Sequence, residues 1–265
     1  MALSKQQLKE LKEQRTGLTN YNSQGCLMKI VEYNGVRETT VEFQDEYKYR
    51  TTTFFKHFVS GTILNPYFPC VVNVGIRGSK YPAKVDGKNT KEYRAWYNML
   101  LRCYDERVHE KEPTYNKCEC CNEWLLYENF YEWLHNQENF DKWYAEDYAL
   151  DKDILIKGNK LYSPETCCLV PRKINSLFVK GDAMRGKNPI GVSFYKHNGK
   201  YNVKCNINAE SNYYGLFDDP KEAFNKYKKI KEQIIQNIAK EEYQANNITH
   251  KCYEAMMKYE VNITD

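Results

Sequence analysis

Two residues, Asp151 and Asn175, have side-chain oxygens that can bind a divalent metal ion. Asp151 lies in the run Leu150–Asp153, Gly158-Asn159 follows as a turn signal, and Asn175 lies beyond a second apolar run. Carboxylate and amide oxygens are good ligands for hard cations such as Mg²⁺. Such a cation stabilises the charged transition state of phosphodiester hydrolysis, while a base activates water. The pattern therefore predicts that Asp151 and Asn175 hold Mg²⁺ or a similar ion.

A strand–turn–strand–helix arrangement would bring these two residues together, and the sequence predicts one. Residues 150–155 favour a strand, residues 162–171 favour a second strand, and the helix that follows carries Asn175. A ββα hairpin of this kind can hold one ion between its first strand and its helix. Arg172 and Lys173 begin the helix, and we expect their charges to clamp a phosphate.

Residues 93–178 resemble the HNH (ββα-metal) endonuclease-like proteins that are common in bacteriophages. The resemblance implies a metal-dependent DNA hydrolase in which Asp151 and Asn175 are metal ligands. Lys152 stands at the position of the family's general base, a histidine, and Thr166 stands at the middle Asn. The residues that carry the resemblance are Trp96, Met99, Arg102, Cys103, Tyr115, Cys121, Trp124, Phe130, Trp133, Leu150 to Asp153, Tyr162 to Cys167 and Asn175.

The lysine at the base position leaves two functional hypotheses open. A lysine side chain is protonated at neutral pH unless burial or neighbouring positive charge lowers its pKa, so it does not replace a neutral imidazole as a base without a large pKa shift. In an active endonuclease of the homing or restriction-like type, the base would be another residue, such as His109 or His135 reaching in from elsewhere. In the alternative, the protein is a catalytically inactive nuclease fold: a phage DNA-binding regulator, or an inhibitor that binds a host defence protein.

The cysteines are concentrated in the same part of the chain. Zinc takes four tetrahedral nitrogen or sulfur ligands, commonly in closely spaced pairs, and Cys118 and Cys121 have that spacing. The remaining two ligands would be Cys103 and either Cys167 or Cys168. The pattern predicts a structural Zn²⁺ on Cys103, Cys118, Cys121 and Cys167; the alternative is a set of free buried thiols that pack as small apolar groups.

Positive charge is concentrated further along the chain. The net charge is only +4, yet residues 170–205 contain eight lysines and arginines against one aspartate. A local block of this size attracts polyanions over about a Debye length, roughly 10 Å at 0.1 M salt. Within it, Tyr201–Ile207 alternates between apolar and polar residues. The alternation predicts a half-buried strand with Asn202, Lys204 and Asn206 on its outer face.

Residues 188–240 resemble the AP2-type DNA-binding domain, which also occurs appended to phage and mobile-element HNH endonucleases. The resemblance rests on Gly191-Val192, Gly199–Tyr201, Gly215–Phe217 and the helix start Asp219–Ala223. It implies a three-stranded sheet in the major groove of double-stranded DNA, with a helix packed behind it. Arginine is absent from these strands, in contrast to its strong use in that family. The residues expected to bind DNA are Arg172, Lys173, Lys187, Tyr195, Lys196, Lys200, Asn202, Lys204 and Asn206.

Together these patterns predict an α+β protein with a small N-terminal β domain, a central ββα-metal (HNH-like) module and a C-terminal AP2-like sheet plus helix. In the β domain, Leu27–Tyr33 and Thr39–Phe43 predict a hairpin across Asn34-Gly35, and Phe54–Phe58 continues the β-rich pattern. The predicted segments are an N-terminal helix (1–16), the β domain (17–78), a linker (79–90), the HNH-like module (91–180), the AP2-like domain (188–240) and a helical tail (241–265).

Composition excludes several classes of protein. A hydrophobic fraction of 42 % and a charged fraction of 28 % are ordinary for a globular chain, so a collagen-like, low-complexity or wholly disordered chain is excluded. The sequence has no run of about 18 apolar residues, and its first residues are charged rather than those of a secretory signal. We therefore expect no membrane partner, a cytoplasmic location (the host cytoplasm, if the protein is phage-encoded) and reduced thiols.

Overall fold

The computed structural model describes residues 4–178, 188–207, 210–263 and 265, and it has a mixed α+β architecture with several small sheets. The chain forms two compact units: Met1–Tyr97 with Asn122–Phe130, and Asn98–Cys121 with Tyr131–Asp265. Lys187, one of the predicted DNA-binding residues, lies outside the described residues. Within the described ranges, no helix has both the length and the apolar character needed to cross a membrane.

The first unit begins with a capped helix followed by an antiparallel meander. In helix α1 (Lys5–Arg15), the Ser4 hydroxyl accepts the Gln7 N–H and the Gln7 side chain accepts the Ser4 N–H, which is a capping box. Four strands then pair in chain order: β1 (Thr19–Tyr21), β2 (Leu27–Tyr33), β3 (Thr39–Phe43) and β4 (Arg50–Thr53).

The hairpin predicted across Asn34-Gly35 has the predicted strand bounds. Met28, Ile30 and Phe43 are fully buried on one face of this sheet, as expected for strands with one face on a core. The expectation for Phe54–Phe58 is wrong, because this segment forms the short helix α2 (Phe55–Val59) rather than β structure. Phe58 of this helix faces the core, whereas Phe54, the extended residue that precedes the helix, is 43 % exposed.

A second aromatic core in this unit surrounds Trp96. The predicted linker contains the small hairpin β5 (Lys84–Val85) and β6 (Lys88–Asn89), and helix α3 (Lys91–Tyr104) follows. The Trp96 indole N–H donates to the Trp124 carbonyl at 2.7 Å, so its polar group is satisfied in a fully buried position. Trp124 belongs to a 3₁₀ turn (Asn122–Leu125) that leads into helix α5 (Tyr127–His135).

The second unit contains the ββα element. Helix α4 (Glu106–Lys111), strand β7 (Glu119–Cys120) and helix α6 (Phe140–Ala145) precede β8 (Tyr148–Asp151). Strand β8 pairs antiparallel with β10 (Cys168–Pro171), with Asp151 opposite Cys168, and α7 (Arg172–Leu177) follows directly. The predicted first strand ends at Asp151 rather than at residue 155. The predicted second strand is split into β9 (Leu161–Tyr162), which pairs with β7, and β10.

The predicted three-stranded sheet is present in the second unit. Strands β11 (Val192–Tyr195), β12 (Lys200–Ile207) and β13 (Glu210–Phe217) are antiparallel neighbours in that order. Helix α8 (Pro220–Gln244) then begins at the Asp219 cap, whose carboxylate accepts the N–H groups of Lys221 and Glu222. A final helix, α9 (His250–Met257), follows.

Sheet and helix approach each other most closely at Gly191. This residue has a φ of +73°, and a Cβ atom there would overlap the ring of Tyr227 on α8. Only glycine combines that backbone conformation with so little bulk. Val192, Val203 and Cys205 then pack against Ala223 and Phe224 of the helix.

Helix α8 belongs to two separate cores. Its first turns, with Ala223, Phe224 and Tyr227, cover the three-stranded sheet. Its later turns, with Ile235 and Ala239, are buried against the hairpin residues Cys168, Val170 and Ile174 and against Cys252 and Met256 of α9. One helix therefore positions the sheet and the ββα element within the same unit.

Candidate functional site

The predicted metal ligand Asp151 is buried at the end of β8. Its Oδ1 accepts the backbone N–H groups of Asp153 and Ile154, each at 2.7 Å, and only 7 % of the residue is exposed. Burial raises the pKa of Asp151, while the two backbone donors act in the opposite direction. The carboxylate therefore closes the turn that ends the strand.

Lys152, at the predicted base position, is also buried and engaged. Its Nζ donates to Asp153 Oδ2 at 2.6 Å and to the Asn159 carbonyl at 3.0 Å, and the residue is 5 % exposed. The side-chain amide of Asn159 donates to the Lys152 carbonyl at 2.9 Å and to the Leu161 carbonyl at 2.6 Å. Hydrogen bonds between Lys152 and Asn159 therefore connect the two sides of the loop between β8 and β9.

The other predicted residues of the hairpin lie on α7. Asn175 is half-buried there. Both predicted phosphate clamps are paired with acids: Arg172 Nε lies 2.9 Å from Asp147 Oδ1, and Lys173 Nζ lies 2.5 Å from Glu242 Oε1. Glu242 belongs to α8, so the Lys173 pair helps to join the two helices.

The two histidines considered as bases are placed by other contacts. His109 Nε2 lies 2.8 Å from the carbonyl of Arg102, which is seven residues earlier on α3. The His135 ring stacks on Tyr131 and contacts Phe140 at a tilt, with ring centroids 4.0 and 3.9 Å away. These contacts hold both imidazoles against residues of α3, α5 and α6.

The catalytic ion that the resemblance implies stays a prediction. One carboxylate oxygen of Asp151 accepts two N–H groups, and the neighbouring base position presents a lysine Nζ rather than an imidazole. Across the part of the chain that the structure describes, no group of three or more His, Cys, Asp or Glu side chains is arranged to hold a metal ion.

The predicted zinc ligands are mostly buried thiols. Burial raises the pKa of Cys103 to about 12, with smaller contributions from the neighbouring thiols of Cys118 and Cys167. Burial likewise raises the pKa of Cys167 to about 12 and raises that of Cys118. Cys121 is partly exposed. The thiolate is the form of cysteine that acts as a nucleophile, so thiols with raised pKa values suit packing better than covalent catalysis. Zinc binding stays a prediction.

Several of the predicted DNA-binding residues belong to the β11–β13 sheet or to the loop between its first two strands. Lys196 and Lys204 are exposed, Tyr195 is 50 % exposed, and Lys200 Nζ pairs with Asp218 at 3.1 Å. Asn202 is half-buried, and its Oδ1 is covered and has no hydrogen-bond partner among the described residues. Asn206 belongs to β12 by its backbone, and Lys187 lies outside the described ranges.

Two exposed residues of this sheet were missed by the sequence prediction. Tyr213 lies opposite Lys204 and Leu216 lies opposite Asn202, with exposures of 59 % and 37 %. The register shifts between Asn202 and Lys204, so strict alternation along β13 does not identify which residues point outward. The pair Tyr213-Tyr214 was the available signal, because only one of two adjacent strand residues can face the helix.

The chain matches no protein-family model, no curated protein and no solved structure.

Proposed function

We propose that the chain is a DNA-binding protein in which an HNH-like hairpin (β8, β10 and α7) has a structural role and an AP2-like sheet with α8 contacts the nucleic acid. The observation that carries this proposal is the buried Nζ of Lys152, which donates to Asp153 and to the Asn159 carbonyl. An Nζ engaged by these two acceptors holds the loop between β8 and β9 and is not placed as a base for water.

The sheet supports the binding part of the proposal. Its outer face carries Tyr195, Lys200, Lys204 and Tyr213, while the opposite face is buried against α8. Exposed lysines on a firmly supported sheet suit phosphate contacts, which supply most of the sequence-independent affinity for DNA. The loop Tyr195–Lys200 adds Lys196 to the same end of the sheet.

A plasmid-cleavage assay combined with a gel-shift assay tests the proposal on the full chain. We expect the protein to shift DNA at low salt and to leave supercoiled plasmid intact with Mg²⁺, Mn²⁺ or Ni²⁺. Nicking that depends on one of these ions and disappears in Asp151→Asn would refute the structural role of the hairpin. Absence of a shift with any DNA at low salt would refute the binding function.

One observation favours a second candidate, a metal-dependent endonuclease. Asp151 ends the first strand of an antiparallel pair and Asn175 lies on the helix that directly follows the second strand, which is the element order of the resemblance. For this candidate, Lys152→His would raise cleavage by supplying a base that is largely neutral near pH 7. Lys152→Met, which keeps the apolar stem, is the matched control.

A further inference from the structure

We propose that the outer face of the β11–β13 sheet binds single-stranded DNA by stacking unpaired bases on Tyr195 and Tyr213. The inference rests on the proposed DNA-binding function and names the form of DNA that this surface takes. It differs from the expectation of a sheet that contacts base edges in duplex DNA.

The first argument is the exposure of two tyrosine rings on a sheet face. Tyr195 is 50 % and Tyr213 is 59 % exposed, whereas Tyr214, next along β13, packs toward the helix-covered side. Large rings are costly to leave in water unless something covers them. Leu216, 37 % exposed on the same face, extends the apolar area between them.

The second argument is the position of lysines beside both rings. Cross-strand register places Tyr195 opposite Lys200 and Tyr213 opposite Lys204, and such pairs have Cβ atoms about 4.5–5.5 Å apart. Surfaces that bind single strands combine an aromatic ring, on which a base stacks, with a cation that contacts the adjoining phosphate. The two pairs are four residues apart along β12, or about 13 Å, so they engage different nucleotides.

The third argument is the chemistry that this face lacks. Residues 188–217 contain no arginine, although bidentate arginine–guanine contacts are the commonest specific contacts in the major groove. Asn202 has its amide oxygen covered. In a duplex, base faces are hidden within the stack and only their edges are presented. A surface of ring faces and lysines therefore matches unpaired bases better than paired ones.

Fluorescence anisotropy on the full chain tests this proposal. The probes are a labelled oligothymidylate of about 12 nucleotides, within the size range of single-strand sites, and a duplex of the same length. We expect the single strand to bind more tightly than the duplex. In Tyr195→Leu with Tyr213→Leu, the affinity for the single strand should fall about 5- to 150-fold per ring removed, because each base–aromatic stack contributes that much.

Two control variants separate stacking from other effects. Tyr195→Phe with Tyr213→Phe keeps both rings, so single-strand affinity should stay within about twofold, since stacking needs no hydroxyl. Tyr21→Leu removes another exposed ring, 63 % exposed in the first unit, and should change nothing. A 2-aminopurine base in the strand should lose emission on binding to the wild type and to the Phe variant, but not to the Leu variant.

The outcomes distinguish this inference from the proposed function. If the duplex binds as tightly as the single strand and the Leu variant binds both like the wild type, the stacking proposal is wrong while DNA binding stands. If neither DNA binds at low salt, the proposed function fails and the inference fails with it. An oligouridylate bound more tightly than an oligodeoxyuridylate of the same length would overturn the choice of DNA in favour of RNA, because these two strands differ only in the 2′-hydroxyl.

Discussion

The carboxylate of Asp151 accepts two backbone N–H groups in the turn that ends β8. A buried donor that loses its acceptor costs free energy, because water cannot reach it. The residue that the sequence marks as a metal ligand therefore has a role in holding the local backbone. Substitutions at this position will change stability as well as any chemistry, and the choice of replacement decides which effect is measured.

We predict that Asp151→Ala lowers the free energy of unfolding by about 2 kcal/mol or more, because it orphans the N–H groups of Asp153 and Ile154. Asp151→Asn keeps an oxygen at the same place and should lose less than half as much. Urea unfolding followed by circular dichroism measures both. Equal losses in the two variants would show that the turn does not depend on this acceptor.

The pH dependence of stability should also differ between the wild type and Asp151→Asn. Burial raises the pKa of Asp151 in the folded chain above the value of about 3.9 in the unfolded chain. The folded state therefore binds this proton more tightly, and the contribution is present below pH 4 and is lost as pH rises through the folded pKa. The stability difference, wild type minus variant, should fall with increasing pH in acid-unfolding series, and a rising difference would contradict the shift.

The candidate residues were identifiable from sequence, but their partners were not. Asp151 and Lys152 stand out by type and spacing, yet only the three-dimensional loop brings Lys152 to the carbonyl of Asn159, seven residues away. Likewise, Tyr195 was predicted to bind DNA, whereas Tyr213 depends on a register shift between β12 and β13. A single sequence carries no direct record of such a shift.

At the scale of elements, regular patterns were predictable and irregular ones were not. Strands β2 and β3 have the predicted bounds because strong β residues flank Asn34-Gly35, which specifies a tight turn. Helix α2 was missed because Phe54–Phe58 has a strand-like aromatic composition. Five residues are too few to show a helical period, so the prediction for this segment depended on its aromatic content alone.

Helix α8 gives an element-scale prediction about packing. Ile235 is fully buried among residues of β10, α7 and α9, so Ile235→Ala should lower the free energy of unfolding by about 2–5 kcal/mol. Lys240→Ala, an exposed position on the same helix, should change it by less than about 0.5 kcal/mol. If both variants lose a similar free energy of unfolding, the helix contributes to stability through its own helicity rather than through this core.

The thiols give a second element-scale prediction. Cys103 lies on α3, Cys118 and Cys121 flank β7, and Cys167 precedes β10, so one ion on all four would tie three elements together. We predict about one zinc per chain in freshly purified, reduced protein, measured by mass spectrometry of metals. A metal-free protein with an unchanged melting temperature in the Cys118→Ser variant would exclude the zinc site.

At the scale of the whole molecule, charge should govern how binding responds to salt. Phosphate contacts release counterions, so the affinity for DNA should fall steeply as salt rises. Replacing Lys204 by Ala should reduce the slope of log affinity against log salt by about one unit. Lys88→Ala, exposed on β6 in the first unit, is the matched control, and equal slopes in all three proteins would place the phosphate contacts elsewhere.

The overall class of the molecule was predictable, whereas its division was not. Periodicity and turn signals indicate an α+β chain, as found. No local pattern indicates that residues 122–130 belong to the same compact unit as residues 1–97, because contacts between distant segments leave no local pattern. The predicted segment boundary at residue 240 falls inside α8, which extends to Gln244. The last turns of this helix are buried by residues that come before and after it in the chain.

Because α8 belongs to two cores, it determines which segment of this protein can be transferred to another scaffold. Helix α8 has 25 residues, or about 37 Å of length, and its later turns lie in the hairpin core. A transplant of residues 188–240 onto another scaffold would carry Ile235 and Ala239 with no apolar surface to cover them. The recipient would inherit an aggregation-prone stripe unless the donor segment also included β8, β10, α7 and α9. The segment that can be transferred with its core intact is therefore much larger than the sheet.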